Sequence, residues 1–375
     1  MIRALLATVW LLCVAGCDPA RDAAYGTAHQ GQPLSVQGLL GGDAAAGFQR
    51  ALHPRPWVFP EDYGPHPGFR DEWWYVTGNL FDGQGQRYGV QLTFFRHQLR
   101  PAIDGSGWQS PQAWMAHFAV SELDSGRYHS AERLGSEGAG VAGARARPFR
   151  VWLDDWVLAA TDTSRPGQLQ LRMQARHQGI GIDLNARQAG PLVSQGEQGL
   201  SHKGGAGNAS HYYSIPRLAA SGQLRIGAAV HEVQGELWLD REWSTSVLAP
   251  GVVGWDWFAL QLADGRNLML FRLHRADGSS SPFGAGSLQY PDGRLEILAA
   301  SDFRLEPQRH WTSPAGQHYP VRWRLRLGED IDWVVEAALD EQWFNHRFRY
   351  WEGAVDVRDQ QGRRLGVGYL EMTGY

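Results

Sequence analysis

Between Glu232 and Trp257 the chain collects side chains able to do acid chemistry beside aromatic surfaces. In Gly235-Glu236-Leu237-Trp238-Leu239-Asp240-Arg241-Glu242-Trp243, the two-residue period of a strand puts Leu237, Leu239 and Trp243 on one face. Glu236, Trp238, Asp240 and Glu242 then share the other face. Such a row either meets solvent or lines a cavity, and Trp255-Asp256-Trp257 on a plausible neighbouring strand favours the cavity. Asp240 and Glu242 sit about 6.5–7 Å apart along the strand, a spacing that also suits a glycosidase carboxyl pair. Each acid has a plainer alternative. Asp71 with Arg70, or Asp240 with Arg241 or Arg96, can form a buried ion pair that braces a sheet.

Other chemistries find little support. His117, His202 and His211 are far apart in sequence, and no pair has the spacing of a metal chelate. Cys13 and Cys17 are the only cysteines, which excludes a disulfide framework and a cysteine-ligated zinc site. No G-x-S-x-G elbow is present, and Gly204-Gly205-Ala206-Gly207-Asn208 lacks the strand–helix context of a phosphate cradle. We therefore expect no cofactor and no metal. A net charge of -4 gives no electrostatic case for nucleic acid. The single lysine, Lys203, is assigned no role.

The elements that must hold these residues are strands. Forty-six glycines and 17 tryptophans punctuate short alternating apolar runs, an all-β pattern. Trp73 to Val76 leads through Asp82-Gly83 into Tyr88 to Arg96, a hairpin in which Tyr88, Val90, Leu92 and Phe94 share a face. Helix is restricted to a turn or two at 217–220 and within 109–116. The hairpin is echoed: Trp74-Tyr75-Val76, Asp82-Gly83 and Leu92 to Arg96 match Trp257-Phe258-Ala259, Asp264-Gly265 and Leu268 to Arg272. Duplication predicts two antiparallel β-barrels packed side by side, over 56–225 and 226–375, each able to enclose a ligand.

The N-terminus predicts location. Arg3, the apolar run Ala4–Leu12 and Val14-Ala15-Gly16-Cys17 read as a secretory signal over 1–17. The small-small-Cys ending is similar to a lipobox, with Cys17 as the lipidation site. Residues 18–55 are read as a flexible tether. Asp18 resembles the signal for staying at the inner membrane, so a periplasmic face is expected.

Several long segments resemble the AttH-type lipocalin-like family, which includes carotenoid 1,2-hydratase (hydroxyneurosporene synthase). They include Phe69-Arg70-Asp71-Glu72-Trp73-Trp74-Tyr75-Val76, Ala116-His117-Phe118-Ala119, Ser210-His211-Tyr212-Tyr213-Ser214, Trp238-Leu239-Asp240-Arg241-Glu242-Trp243-Ser244, Gly254-Trp255-Asp256-Trp257-Phe258, Tyr350-Trp351-Glu352-Gly353-Ala354 and Gly368 to Tyr375. The resemblance spans about 57–375 and implies two lipocalin-like barrels. It also implies a secreted protein associated with permeases of the ABC class. Hydratase activity, in one branch of the family, would need a protonated carboxylic acid in an apolar cavity and an indole face to stabilise a carbocation. Asp240 or Asp256, with Glu242 nearby, would serve as acid. Trp74, Trp238, Trp255 and Trp257 would form the wall, with His211 or Tyr212 orienting water.

Three readings follow. The first is a membrane-tethered binder of a lipid or isoprenoid. The second is a hydratase of an isoprenoid C=C, and the third a carbohydrate-binding or carbohydrate-active protein. A deep apolar pocket favours the first two, and a strongly raised carboxyl pKa within it favours the second over the first.

Overall fold

A computed structural model of the chain describes residues 46–101, 110–161, 164–165, 167–205, 207–245 and 248–375. The signal segment, Cys17 and the tether up to residue 45 lie outside the described residues. The last stretch of the expected tether is packed: Ala51 is buried, Gln49 N–H donates to the Gly68 carbonyl, and Thr245 donates to the Gln49 carbonyl.

The first sheet comprises β1 (Asp71–Asp82), β2 (Arg87–Gln98), β3 (Gln112–Glu122), β4 (Arg127–Ser136), β5 (Ala142–Ala146), β6 (Phe149–Leu153) and β7 (Trp156–Ala160). It continues with β8 (Gln170–His177), β9 (Ile180–Gln188), β10 (Val193–Ser194), β11 (Leu200–His202), β12 (Ala209–Ile226) and β13 (Ala229–Ser244). The second sheet holds β14 (Val252–Leu262), β15 (Asn267–Arg275), β16 (Ala285–Gln289), β17 (Leu295–Ala299) and β18 (Phe303–Thr312). It closes with β19 (His318–Leu327), β20 (Ile331–Ala337), β21 (Trp343–Asn345), β22 (Arg349–Asp359) and β23 (Arg364–Met372). All pairings are antiparallel, and each sheet curls into a near-barrel. β1 runs between β2 and β13, and β14 runs between β15 and β23.

Two expectations change. The segments given to helical turns are strand: Gln112 opens β3, and 217–220 belongs to β12, where a bulge falls between Ile215 and Leu218 around Pro216. Division of the chain at 225/226 falls at a hairpin turn, because β13 pairs with both β12 and β1 in the first sheet. The chain passes to the second sheet between Ser244 and Val252.

Both interiors are filled. Trp74, Trp114, Trp156 and Trp243 occupy the first, and Trp323 and Trp351 the second. One end of the first barrel is fastened by Glu72, whose side chain is inaccessible to solvent. Its carboxylate accepts from Arg96 Nε at 3.0 Å, Arg241 Nη2 at 2.7 Å and the His66 backbone N–H at 2.9 Å, and lies 2.7 Å from the His66 ring. The two arginines then donate to the carbonyls of Gly64, His66, Phe69 and Trp73. Burial alone would raise the pKa of Glu72; the charges of His66, Arg241 and Arg96 override it and hold the carboxyl well below the usual range.

The second barrel repeats the device. Arg272 is 2.6 Å from Asp256, and these two are cross-strand neighbours in β14/β15 as Glu72 and Arg96 are in β1/β2. This register matches Glu72 to Asp256 and Trp73 to Trp257, one residue away from the match of Trp74 with Trp257 suggested by the sequence.

Replacing Glu72 by Gln leaves two buried arginines without their counter-charge and is expected to cost about 3–5 kcal/mol. The loss is read as a lower denaturant midpoint at unchanged slope. Because the folded-state pKa is depressed, the wild-type advantage is full above the unfolded value of 4.5 and shrinks on acidification below it.

Candidate active site between the barrels

Strand alternation that fills each barrel also decides what faces outward. In β1, Trp74 and Val76 point into the first barrel, so Trp73 and Tyr75 face the second. In β14, Phe258 and Leu260 point inward, leaving Trp255 and Trp257 toward the first barrel. The outer faces meet around a cleft of about 80 Å³, several times the space of one water.

Its walls come from matching positions of the two sheets. Trp73 has Phe95 and Glu242 as cross-strand neighbours, and Trp257 has Phe271 and Glu371. All six line the cleft. Tyr75, Tyr212, Leu248, Trp255 and Leu273 complete a mostly apolar wall that also holds Asp240 and Lys203.

Asp240 is the most elaborately held acid. Its Oδ1 accepts from Trp238 Nε1 at 2.8 Å and from the Ser214 hydroxyl, and its Oδ2 from the Tyr212 hydroxyl at 3.0 Å. Trp257 Nε1 donates to that tyrosine oxygen at 3.2 Å. Burial raises the pKa of Asp240 to about 7, against the lowering effect of its donors, with a further push from Glu242. Oδ1 already takes two donors, which leaves Oδ2 as the natural seat of the acidic proton.

Glu371 is half-buried in the cleft wall. Burial raises it too to about 7; Trp255 and Tyr75 lower it by hydrogen bonding, and Asp240 and Glu242 raise it further. Its counterpart Glu242 differs by having a cation. Lys203 Nζ lies 3.3 Å from Glu242 and 3.9 Å from the Phe271 ring centre, and Ser210 donates to the same carboxylate. Among the described residues no cation pairs with Glu371.

Of the residues proposed from the sequence, Asp240, Glu242, Tyr212, Trp255 and Trp257 meet at the cleft, and Trp238 stands behind Asp240 as its donor. Three do not. Trp74 lies inside the first barrel, stacked on Trp114 and donating to the Tyr63 carbonyl. His211 points away from Tyr212, against Phe69 and Trp243. Burial, with Arg55 and His66 nearby, lowers its pKa to about 4. Asp256 is tied to Arg272 and Tyr375 on the far face of β14. Each error is a single step along a strand, which reverses the face. Trp73, Tyr75, Phe95, Phe271, Lys203 and Glu371 were not foreseen. Their signal was the alternation about Trp73 and the isolated lysine. Among the described residues, no three His, Cys, Asp or Glu side chains are placed to hold a metal ion.

A model of the AttH-like family matches residues 50–375. The chain belongs to the AttH-like family. An AttH protein from Nitrosomonas europaea, NE1406, is similar over 88% of this chain and 100% of its own, at 33% identity and a TM-score of 0.78. Kievitone hydratase from Nectria haematococca shares the fold at 14% identity and a TM-score of 0.66, over 92% of this chain and 96% of its own. CghA with Sch210972 does so at 14% identity and a TM-score of 0.52, over 89% and 97%. A comparison with curated proteins gives no match.

Within this AttH-like chain the two adjacent tryptophans should separate cleanly. Trp74→Ala is expected to lower stability by about 3–5 kcal/mol, as for a core indole. Trp73→Ala should mainly weaken uptake of an apolar probe such as farnesol, measured by quenching of tryptophan fluorescence. Asp240→Asn should raise stability relative to wild type, by an amount that grows from about pH 4 to about pH 7 and then levels off. The sign follows from a folded pKa of about 7 against 3.8 unfolded: the unfolded carboxyl ionises first, so the wild type loses stability across that window. Denaturant titrations at stepped pH values measure it.

Proposed function

We propose that the cleft binds an apolar, alkene-bearing molecule and adds water across its C=C, a hydro-lyase reaction. The observation that carries this reading is Asp240: a carboxylic acid in an apolar cleft, kept protonated near neutrality and held by three donors. An isolated alkene is barely basic and needs such an acid. Asp240 gives its proton to one alkene carbon, leaving a carbocation at the other. The faces of Trp73 and Trp257 stabilise that cation. Water attacks it, and Glu371 takes the proton that the water gives up. One water is added and no redox partner is needed. The fold shared with kievitone hydratase agrees with this chemistry without assigning the substrate.

The ligand-holding half of the proposal requires only the cleft, whose mostly apolar lining supports an isoprenoid or lipid chain as ligand. Trp257, at 7% exposure, offers no flat open platform of the kind a sugar ring stacks on, so carbohydrate is not favoured. Anchoring through Cys17 at the periplasmic face of the membrane, with an ABC-class permease as partner, belongs to the same proposal. It is supported by the N-terminal sequence pattern and the family resemblance.

The test offers lycopene and farnesol to the purified chain in ¹⁸O-labelled water and follows products by mass spectrometry. A product heavier by one labelled water is expected. Asp240→Asn should lower its rate by about 10²–10⁴-fold while the probe still binds. Binding of both probes without labelled product would leave a carrier and remove the hydratase.

A further inference from the structure

From the cleft, a second series of buried polar groups runs on between the barrels. The Tyr75 hydroxyl, in the cleft wall, donates to Glu352 Oε1 and also reaches Glu371. Glu352 and Glu371 are cross-strand neighbours on β22 and β23. Two residues along β22, Tyr350 approaches the same Glu352 carboxyl. The Tyr350 oxygen shares a 2.7 Å hydrogen bond with His117 Nδ1 and accepts from Gln91 Nε2 at 3.0 Å. His117 Nε2 is 3.5 Å from Glu132 Oε2 on the edge strand β4, and the Glu132 side chain, 7% exposed, lies beside His346.

Two features separate this series from a bracing network. First, the bonds can be set in more than one way. Tyr75 has one hydroxyl proton: it goes to Glu352, or, when protonated Glu352 donates to the tyrosine oxygen instead, to Glu371. Second, Glu352 Oε2, Gln91 Oε1 and Tyr128 Oη are buried here without a hydrogen-bond partner, and His117 Nε2 and Glu132 Oε2 have only their long contact with each other. Loosely satisfied polar atoms beside a tyrosine proton with two acceptors leave room for protons to move along the series.

We propose that Glu371, Tyr75, Glu352, Tyr350, His117 and Glu132 form a proton path joining the cleft to the outer edge of the first barrel. The path rests on the hydratase reading for its purpose. Each hydration breaks the Asp240 O–H bond, forms one C–H and one C–O bond, and transfers a water proton to Glu371. Asp240 is left ionised and Glu371 protonated. With product still filling the cleft, Glu371 discharges inward, through Tyr75 to Glu352 and on to His117 and Glu132. Asp240 regains a proton from water that enters as product leaves. Burial holds Glu352 well above the ordinary carboxyl range, so it stores the proton in transit.

The path has two ends, and the test uses both. On the purified full-length chain, infrared spectroscopy follows the carbonyl band of protonated Glu352, assigned by its loss in Glu352→Gln, as water is exchanged for D₂O. Tyr75→Phe closes the cleft end and Tyr350→Phe the outer end, each removing one hydroxyl. Either single variant should still exchange quickly, because the other end remains open. The double variant should exchange about a hundredfold more slowly, the lower range of what positioned proton transfer contributes. In Tyr75→Phe with His117→Ala, added imidazole should restore the rate, which a merely structural histidine would not allow. Equal exchange in the double and single variants overturns the path, as does the absence of a protonated Glu352 band. Failure of the acid reading shows separately, as a missing band lost in Asp240→Asn or as no labelled product in the hydration assay.

Discussion

The carboxylate of Glu72 is the contact on which the rest of the molecule depends. Taking a charge out of water is costly, and the cost is recovered only when every partner is in place. Arg96, Arg241 and His66 arrive from β2, β13 and the segment entering β1, so this one group fixes three strands and the approaching chain at once. It also fixes phase. A slip of β1 by one residue would carry Glu72 to the outer face and drive Trp73 into the core. With the phase set, Trp73 and Tyr75 must face the neighbouring barrel. Asp256 and Arg272 set β14 in the same way, and Trp257 follows. The two walls of the cleft are thus consequences of two buried ion pairs that lie outside it.

Matching walls would make a nearly symmetric cleft; its acids differ where the match fails. Glu242 and Glu371 occupy equivalent positions, yet Lys203 neutralises only the first. Asp240 lies opposite Tyr75, and the residue in the equivalent place of the second barrel is Tyr369, opposite Ala259. A repeated scaffold has been given one buried acid, one acid paired to an amine and one acid without a cation. The proposed hydration requires such differences between groups placed alike.

Much of this was legible in the chain, and the failures have a common cause. Alternation through 235–243 correctly put Asp240 and Glu242 on a shared face, because Leu237 and Leu239 just before them mark the opposite face unambiguously. In Asp71 to Val76 both faces are buried, one in a core and one against the other barrel, so aromatic residues run consecutively and their order does not reveal the face. Trp74 was chosen where Trp73 was needed. Asp256 looked like an acid among indoles because its partner Arg272 lies sixteen residues away and across a turn. Local pattern could not place the cleft itself. A barrel suggests a hollow interior, and only the sizes of the inward side chains, eight of them buried indoles, show that both interiors are full.

Because the cleft is built on outer faces, its lining belongs to neither barrel's interior packing. Trp73, Phe95 and Phe271 pack in smaller clusters between the barrels, so exchanging them leaves both barrel interiors intact. Such a scaffold can drift far in sequence and keep its fold, as the fold shared at 14% identity illustrates. New specificity in this architecture calls for repainting a seam between two finished parts.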